Sequence, residues 1–410
     1  MINEKEYLRE LAKRYNDIAH LDIMHERTAL WYRHNALKGE RPLIVMEMRT
    51  FEDDMLPPMR CESELAQRVE RELLRHIVNH EKIGDDKVVP AYYTVPKEIT
   101  VQLFGLNRVR TYAKDSSGRT LGYHDEHFIK DLEEDLQKLC NSNIFFDREK
   151  TKEHREYAED TLGDILPVVE KNRSLEWLFG ISQRIIELMG MEALMYAMID
   201  SPDLVRRLYG FVCDDMIGVL RSMEEMGLLT GNNGNDYAGS GSYGFSDELH
   251  PEGNIVSSML WGNMNSQETV SVSADMYGEL VFPAYLRLSR EFGLLYYGCC
   301  EPAHPLWDSY IKKLPGLRKV SVSPWCDEEY MGQALRGGNV IYSRKPSPNF
   351  LGLDNAFDEQ AYTTHVEKTL RAAKGCHLEI IHRDIYTLSG DLDKRGRAVK
   401  ILRELIDKMW

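Results

Sequence analysis

The last third of the chain alternates short strand-like runs with helical segments, and this alternation limits the fold more than any other feature of the sequence. The strand-like runs begin near Leu294, Lys319, Asn339 and His377. Segments with helical spacing lie between them at about 305–313, 327–335 and 358–373, and a final one spans about 391–409. Four strand-helix units in succession predict parallel strands joined by right-handed crossover helices.

The first part of the chain supplies strand candidates that complete this pattern. They lie at Leu43–Met48, Val88–Val95, Leu228–Thr230 and around Trp261. Together with the four later strands they reach eight, the number that closes a (β/α)₈ TIM barrel. An open doubly wound sheet is the alternative, but no G-x-G-x-x-G motif follows a strand. We therefore predict an α/β fold with an N-terminal helical arm at residues 1–40, a (β/α)₈ barrel at residues 41–410, and a hairpin insertion around Ser116–Gly118.

Charge and composition narrow the expected partners. The chain has 51 basic and 66 acidic residues, a net charge of −15, which disfavours a nucleic acid or an anionic membrane as partner. Its first six residues are charged rather than apolar, and no apolar run approaches the length of a bilayer. The seven cysteines are scattered and form no CxxC pair. We expect a cytoplasmic protein without a disulfide framework.

The most reactive stretch of the sequence follows the apolar run that begins at Leu294. There the chain reads Gly298-Cys299-Cys300-Glu301, and two thiols beside a carboxylate suit a metal or a nucleophile. Because side chains alternate along a strand, Tyr297, Cys299 and Glu301 are predicted to face the mouth of the barrel, and Cys300 the surrounding helices. The alternative is that these cysteines are small buried hydrophobic residues.

The other strand ends add polar and aromatic side chains. The carboxyl ends of parallel strands meet at one rim, where barrel enzymes carry their active sites. The candidates at this rim are Glu47, Asn235, Asp236, Trp261, Gln267, Glu268, Trp325, Lys345, Arg383 and Asp384. The stretch 231–244 is rich in glycine and serine, and we predict that it forms a mobile loop that closes over this rim.

Several of these motifs resemble the uroporphyrinogen decarboxylase superfamily. The resemblance lies in Tyr297–Pro302, Ser321–Trp325, Ser343–Pro348 and Arg383–Thr387. Trp261-Gly262 and Gln267-Glu268 are similar to its anaerobe-associated branch, which is grouped with corrinoid-dependent methyltransferases. The resemblance extends from about Asp200 to the C-terminus. It implies a (β/α)₈ barrel and a role in anaerobic metabolism.

The resemblance implies methyl transfer rather than tetrapyrrole decarboxylation. The decarboxylase carries an arginine-rich segment after its first strand, whereas Glu47–Asp54 here is acidic and would repel a polycarboxylate. The methyltransferase relatives hold zinc through a His-x-Cys motif and a later cysteine. Here Tyr297 replaces that histidine, and Cys376 precedes the last strand rather than following it. A zinc ion would have to use Cys299, Cys300 and Glu301, with Glu268 as a neighbour.

We thus predict an enzyme that moves a methyl group between a small methylated compound, a corrinoid (cobalamin) and a thiol or pterin acceptor. The predicted catalytic residues are Cys299, Glu301, Glu268, Lys345 and Asp384. The predicted substrate-binding residues are Glu47, Asn235, Asp236, Trp261, Gln267, Tyr297, Trp325 and Arg383. Expected cofactors are zinc and a corrinoid carried by a partner protein, and a second copy of the chain is a further expected partner.

Two alternative functions stay open. One is a metal-free lyase or decarboxylase acting on a small carboxylic acid, with Lys345 and Arg383 holding the carboxylate and Glu268 or Asp236 as acid or base. The other is a non-catalytic protein that binds a corrinoid or a tetrapyrrole.

Overall fold

A six-stranded parallel sheet forms the centre of the computed structural model, which describes residues 3–114, 120–353 and 356–410. The strands in these ranges are β1 (Leu43–Met46), β2 (Tyr93–Pro96), β3 (Ile99–Gln102), β4 (Arg110–Lys114), β5 (Thr120–Asp125), β6 (Asn143–Phe146), β7 (Val168–Lys171), β8 (Tyr237–Gly239), β9 (Ser242–Tyr243), β10 (Trp261–Met264), β11 (Leu294–Tyr297), β12 (Leu317–Val322), β13 (Ile341–Arg344) and β14 (Leu378–His382). The central sheet has the order β1-β14-β13-β12-β11-β10. The four strands predicted from the last third of the chain are thus confirmed.

Helices surround this sheet. Those of eight or more residues are Glu4–Ala19, Asp22–Asn35, Glu64–Lys82, Arg148–Leu162, Ile181–Met189, Met191–Asp200, Pro202–Glu225, Phe282–Ser289, Glu328–Leu335, Glu359–Ala372 and Lys394–Met409. Shorter ones occupy Glu52–Met55, Leu132–Leu136, Ala274–Met276, His304–Trp307 and Asn349–Gly352. In the part of the chain that the structure describes, no helix combines the length and apolarity needed to cross a membrane.

The edge strand β1 is buried and is bordered by two aspartates instead of another strand. Asp86 donates its backbone N–H to the carbonyl of Ile44 at 2.8 Å, and its carboxylate accepts the N–H of Ile44 at 2.8 Å. Asp85 accepts the N–H of Met46 at 2.7 Å. These side chains satisfy the edge of the sheet that a neighbouring strand would otherwise pair.

The opposite edge strand, β10, is bordered in a similar way. The side-chain amide of Asn232 accepts the N–H of Trp261 at 2.9 Å and donates to its carbonyl at 3.0 Å.

β2 and β7 form a separate parallel pair. No backbone ladder among the described residues joins this pair to the six-stranded sheet. The structure therefore establishes a mixed α/β fold with a six-stranded parallel sheet, without backbone closure of a barrel.

The glycine-rich stretch predicted to be a mobile loop is instead a buried hairpin. β8 and β9 pair antiparallel, and residues 238–242 are all buried. Ser240 donates to the carbonyl of Gly298 at 2.8 Å, at the end of β11. Gly239 lies so close to Tyr296 that a Cβ atom there would be 2.6 Å from the ring. The glycines of this hairpin therefore serve close packing inside the sheet, and the prediction of a loop is wrong for residues 237–243, whereas residues 231–236 form no strand or helix.

We expect Gly241→Ala to lower the free energy of unfolding by about 1–3 kcal/mol. Gly241 has φ +84°, and a Cβ atom there would meet the Ile381 side chain at 2.7 Å. The matched control is Gly218→Ala, at an exposed position of the helix Pro202–Glu225 with no atom near the added methyl. There we expect a gain of about 0.5–1 kcal/mol. Urea denaturation measures both, and equal effects would contradict the packing assigned to the hairpin.

Other differences from the sequence predictions have local causes. The second strand begins at Tyr93 rather than Val88, because Pro90 cannot donate a ladder hydrogen bond. Leu228–Thr230 forms no strand, while β7 was not predicted. β4 and β5 form the predicted hairpin insertion, whose turn at Ser116–Gly118 lies outside the described residues. The two helices of the N-terminal arm and the final helix were predicted correctly.

Glu379 is the centre of a buried polar cluster inside the sheet. One carboxylate oxygen accepts from Lys319 Nζ at 3.1 Å and Ser242 Oγ at 3.0 Å, and lies 3.2 Å from His34 Nε2. The other accepts from Ser343 Oγ at 2.6 Å. Although burial disfavours its charge, the Lys319 ammonium and the hydrogen bond from His34 hold the pKa of Glu379 below its usual value. The cluster joins the N-terminal arm, the β8–β9 hairpin and three strands.

Candidate active site

A cavity of about 510 Å³ opens where several of the parallel strands end. Glu47 follows β1 on its wall, Asn172 and Arg173 follow β7, and Arg383 and Asp384 follow β14. The carboxyl ends of parallel strands are the usual place for the active site of an α/β enzyme. A concave, polar cavity at this position is therefore the candidate active site.

Six of the predicted site residues line this cavity. They are Glu47, Asn235, Asp236, Trp261, Arg383 and Asp384. The other eight predicted residues do not line it: Glu268, Gln267, Tyr297, Cys299, Cys300, Glu301, Trp325 and Lys345. The structure thus brings together the residues that follow β1 and β14, those that precede β8 and the first residue of β10, and it places those that follow β10 to β13 outside the cavity.

Cys299 is buried next to the cavity and contacts Arg383, which lines it. The Cys299 sulfur lies 3.8 Å from Arg383 Nη1 and 3.6 Å from the sulfur of Cys300. The hydrogen bond with Cys300 and the charge of Arg383 lower the pKa of the Cys299 thiol, against the effect of burial. A lower pKa increases the thiolate fraction at neutral pH, and the thiolate is the nucleophilic form of cysteine.

The predicted alternation of side chains fails directly after β11, because Gly298 adopts φ +98° and breaks the extended backbone. Tyr297 points into the helical layer, where its hydroxyl lies 2.6 Å from that of Ser266. Cys300 is exposed, and its sulfur lies 3.7 Å from Asp384 Oδ2. The predictions that Tyr297 faces the mouth and that Cys300 packs against the helices are therefore wrong.

Glu301 is held by backbone amides and not by the thiols. Its two carboxylate oxygens accept the N–H groups of Ser266 at 2.9 Å and Cys299 at 2.8 Å. Because this buried carboxylate is fixed there, Cys299, Cys300 and Glu301 do not converge on one point. Across residues 3–114, 120–353 and 356–410, no group of three or more His, Cys, Asp or Glu side chains is arranged to hold a metal. The predicted ligand set does not fit a zinc ion.

Lys345 and Trp325 both lie outside the cavity lining. Lys345 is buried, and its ammonium donates to Tyr296 Oη at 2.8 Å and Ser343 Oγ at 2.7 Å. Burial lowers its pKa to about 7. Trp325 is 73% exposed. Neither residue lines the cavity where a substrate would bind.

Glu268 is buried away from the cavity, beside Gln267. Burial raises the pKa of Glu268 to about 7, with a smaller contribution from the charge of Glu301. Its Oε2 atom has no hydrogen-bond partner in the described part of the chain. The pKa suits an acid or base, but the residue has no access to the cavity in this conformation.

Part of the cavity wall is formed by residues that the sequence did not reveal. Lys171, Arg173, Glu176 and Trp177 line the cavity and lie at or after the end of β7. Lys171 is paired with Asp236 at 3.0 Å. The sequence did contain a signal for them: a proline is followed by two valines, and Lys-Asn-Arg comes soon after. This is the pattern of a short strand with polar residues at its end.

Lys87 is another cavity residue that the sequence did not reveal. Its backbone is fixed on both sides, with the N–H donated to Asp85 at 3.3 Å and the carbonyl accepting from Arg27 at 3.0 Å. Its ammonium group forms no ion pair or hydrogen bond with any described residue. Burial lowers the pKa of this amine, against the charges of Asp85 and Glu47.

Five buried polar atoms on the cavity wall have no hydrogen-bond partner among the described residues. Two are donors, Tyr237 Oη and Arg383 Nε, and three are acceptors, Glu47 Oε2, Asn235 Oδ1 and Asn263 Oδ1. Arg383 Nε lies 3.5 Å from Glu47 Oε2 without hydrogen-bonding to it. Buried polar atoms are nearly always bonded in native proteins, so a ligand or ordered water in the cavity would supply the missing partners of these five.

We expect Arg383→Met to raise the pH midpoint for alkylation of Cys299. Removal of the guanidinium takes away a positive charge next to the sulfur, so the pKa of the thiol increases. Iodoacetamide labelling across pH, read by peptide mass spectrometry, separates Cys299 from Cys300. The matched control is Arg49→Met, which removes an arginine from the same cavity without a contact to the sulfur. An unchanged midpoint in Arg383→Met would show that Arg383 does not act on this thiol.

Comparisons with known proteins leave the family open. No family model and no curated protein matches this chain. Among solved structures, a methyltransferase from Methanosarcina mazei aligns over 93% of this chain and 98% of that chain, with 13% sequence identity and a TM-score of 0.48. A similarity at this level decides neither fold nor activity, which have to be argued from the residues of this chain.

Proposed function

We propose that this chain is a cytoplasmic methyltransferase, with the Cys299 thiolate as its reactive group and its substrate bound in the adjoining cavity. The observation that carries the proposal is the buried Cys299 sulfur, with its lowered pKa, between Cys300 and Arg383 at the edge of this cavity. A thiolate is a soft nucleophile and suits attack on a methyl carbon. The resemblance of the motifs around Cys299 to the corrinoid-linked branch of the superfamily supports the same class of reaction.

In the proposed reaction, a lone pair of the Cys299 sulfur forms a bond to the methyl carbon. The bond from that carbon to its leaving group breaks, and the leaving group keeps the electron pair. Arg383 stabilises the thiolate before transfer, and the unpartnered hydroxyl of Tyr237 is a hydrogen-bond donor for the leaving group, which departs with its lone pair. A corrinoid carried by a partner protein would supply either the methyl donor or the final methyl acceptor for this exchange on the Cys299 sulfur, so the exchange can also be followed from methylcobalamin. We assign no step to zinc, because the predicted ligands do not converge.

We also propose that the strands form one (β/α)₈ barrel over residues 41–410, with residues 1–40 as a helical arm. Six parallel strands of the central sheet and the parallel pair β2–β7 supply the eight strands required. The side chains of Asp85, Asp86 and Asn232 border β1 and β10, where the two parts would meet.

Methyl transfer can be tested directly with methylcobalamin. The purified chain is incubated under anaerobic conditions with methylcobalamin and a small thiol or a reduced pterin, and loss of the cobalt–methyl absorbance is followed. We expect enzyme-dependent demethylation and a methylated acceptor detectable by mass spectrometry. Failure with both acceptor classes, at protein concentrations equal to that of methylcobalamin, would contradict the proposal.

A second candidate function is a metal-free lyase or decarboxylase acting on a small carboxylic acid. The observation that favours it is Lys87, whose ammonium lines the cavity without a partner among the described residues and suits a carboxylate. Arg383 remains available for this role, but Lys345 does not, because Tyr296 and Ser343 occupy its donors. Release of carbon dioxide or of an alkene from small acids, without any methyl transfer, would favour this candidate.

A further inference from the structure

We infer that the cavity binds a small zwitterion, which carries a carboxylate and an ammonium group with at least one N–H, as in an N-methylated amino acid. The reaction of this zwitterion rests on the proposed function, whereas its binding does not. The binding chemistry rests on three residues of one wall: Lys87, Asn235 and Glu47.

The anionic end is assigned to Lys87. Its backbone is held by hydrogen bonds from both sides, so the start of its side chain is fixed at the cavity wall. It is half-buried and has no carboxylate within ion-pair distance in the described ranges. By contrast, Lys171 on the same wall is already paired with Asp236. A carboxylate of the ligand would supply the missing partner of Lys87 with a charge-assisted hydrogen bond.

The cationic end is assigned to Glu47 and Asn235. Asn235 donates its side-chain N–H to the carbonyl of Val88 at 3.2 Å, directly after Lys87, which leaves Oδ1 as a free acceptor beside that lysine. Glu47 Oε2 is a second acceptor without a hydrogen bond among the described residues, and it lies 3.5 Å from Arg383 Nε. An ammonium N–H satisfies such acceptors, whereas a quaternary ammonium has no hydrogen to donate and leaves them unbonded.

The position of Arg383 relates this wall to the reactive sulfur. Its guanidinium lies 3.5 Å from Glu47 Oε2 through Nε and 3.8 Å from the Cys299 sulfur through Nη1. Arg383 therefore lies between an ammonium nitrogen at Glu47 and the sulfur, and it has to move aside before a methyl group on that nitrogen can contact Cys299. The zwitterion would thus place its N-methyl group, and not its carboxylate, on the side of Cys299.

The test is the binding of N,N-dimethylglycine to the full-length chain by isothermal titration calorimetry. Trimethylglycine lacks the N–H, trimethylamine lacks the carboxylate, and methoxyacetate lacks the ammonium. We expect dimethylglycine to bind at least tenfold more tightly than each of the three. If any of the three binds as tightly as dimethylglycine, the inference is overturned. It is also overturned if dimethylglycine does not bind at all at up to roughly 20 mM, a concentration above the millimolar dissociation constants of weak ligands.

Two variants separate the two ends of the ligand. Lys87→Met is expected to weaken dimethylglycine at least tenfold and to leave trimethylamine unchanged, and Glu47→Gln is expected to reduce the preference for dimethylglycine over methoxyacetate. Lys97→Met is the matched control, since it removes a half-buried amine outside the cavity whose one side-chain hydrogen bond within the described ranges goes to the carbonyl of Leu228. Unchanged dimethylglycine affinity in a folded Lys87→Met would overturn the assignment.

The binding test and the test of methyl transfer can fail independently. If dimethylglycine binds as expected but no methyl group reaches any acceptor, the substrate class stands and the proposed function fails. If methyl groups are transferred only from compounds that lack the carboxylate or the N–H, the proposed function stands and the substrate class is wrong.

Discussion

Cys299→Ser is expected to lower the rate of methyl transfer by at least about 10³-fold, the scale seen when a catalytic nucleophile is removed. The hydroxyl of serine stays protonated next to Arg383, so the soft anionic nucleophile is lost. We expect the melting temperature to change little, because serine fills nearly the same volume. Initial rates with methylcobalamin and thermal denaturation measure the two effects.

Two control variants make this result specific to Cys299. Cys140→Ser replaces an exposed cysteine of the same chain and should keep both rate and stability. Cys300→Ser keeps a hydroxyl next to the Cys299 sulfur, and its exposed position means that little packing is lost. We therefore expect Cys300→Ser to leave the stability nearly unchanged. Full activity of Cys299→Ser would show that the reaction takes place at another group.

Lys319→Met is expected to lower the free energy of unfolding at pH 7 by about 3–5 kcal/mol, the usual effect of removing one partner of a buried ion pair. The variant leaves the carboxylate of Glu379 buried without its strongest counter-charge. Urea denaturation provides the measurement. The matched control is Lys312→Met, which breaks an exposed ion pair with Asp308 and should cost less than about 1 kcal/mol.

The pH dependence gives this prediction a second test. The pKa of Glu379 is depressed in the folded protein, so the stability it contributes is present above its unfolded pKa, near 4.3, and is lost as the pH falls towards the folded value. Without Lys319 the folded pKa of Glu379 rises, and the carboxylate can be protonated at mild acidity. The deficit of Lys319→Met should therefore be smaller at pH 5 than at pH 7. An equal deficit at both values would assign the loss to packing instead.

The sequence predicted the fold best where strands and helices alternate at regular spacing. The runs that became β11 to β14 each contain at least two apolar residues, are separated by helical segments, and are followed by glycine or polar residues. The pair β2–β7 was harder to predict, because Pro90 lies before the first and only two apolar residues mark the second. Periodicity cannot tell whether the sheet closes, because it does not show what lies beside each strand. At the edge of β1, side chains such as Asp85 take the place of a neighbouring strand.

The site residues were predictable where they directly follow a strand. Glu47 and Arg383 directly follow buried strands, so the strand end fixed their position. The orientation of Cys300 and Tyr297 was not predictable, because it depends on the positive φ of Gly298, which interrupts the alternation of the strand. Lys87 lies in an irregular segment, where no periodicity tells which way a side chain points.

The pairing of β1 with β14 also determines the order in which the chain can complete its fold during synthesis. The ladder joins Leu43 to Glu379 and Met46 to His382, and β1 has no other strand partner in the described ranges. Roughly 340 residues must therefore be translated before β1 can pair, which takes about 20–70 s at usual rates of synthesis. During that time the apolar run Leu-Ile-Val-Met is available to other nascent chains. Protection by a chaperone at the ribosome is thus most important for β1, which is the first strand of the sheet to be synthesised and waits longest for its partner strand.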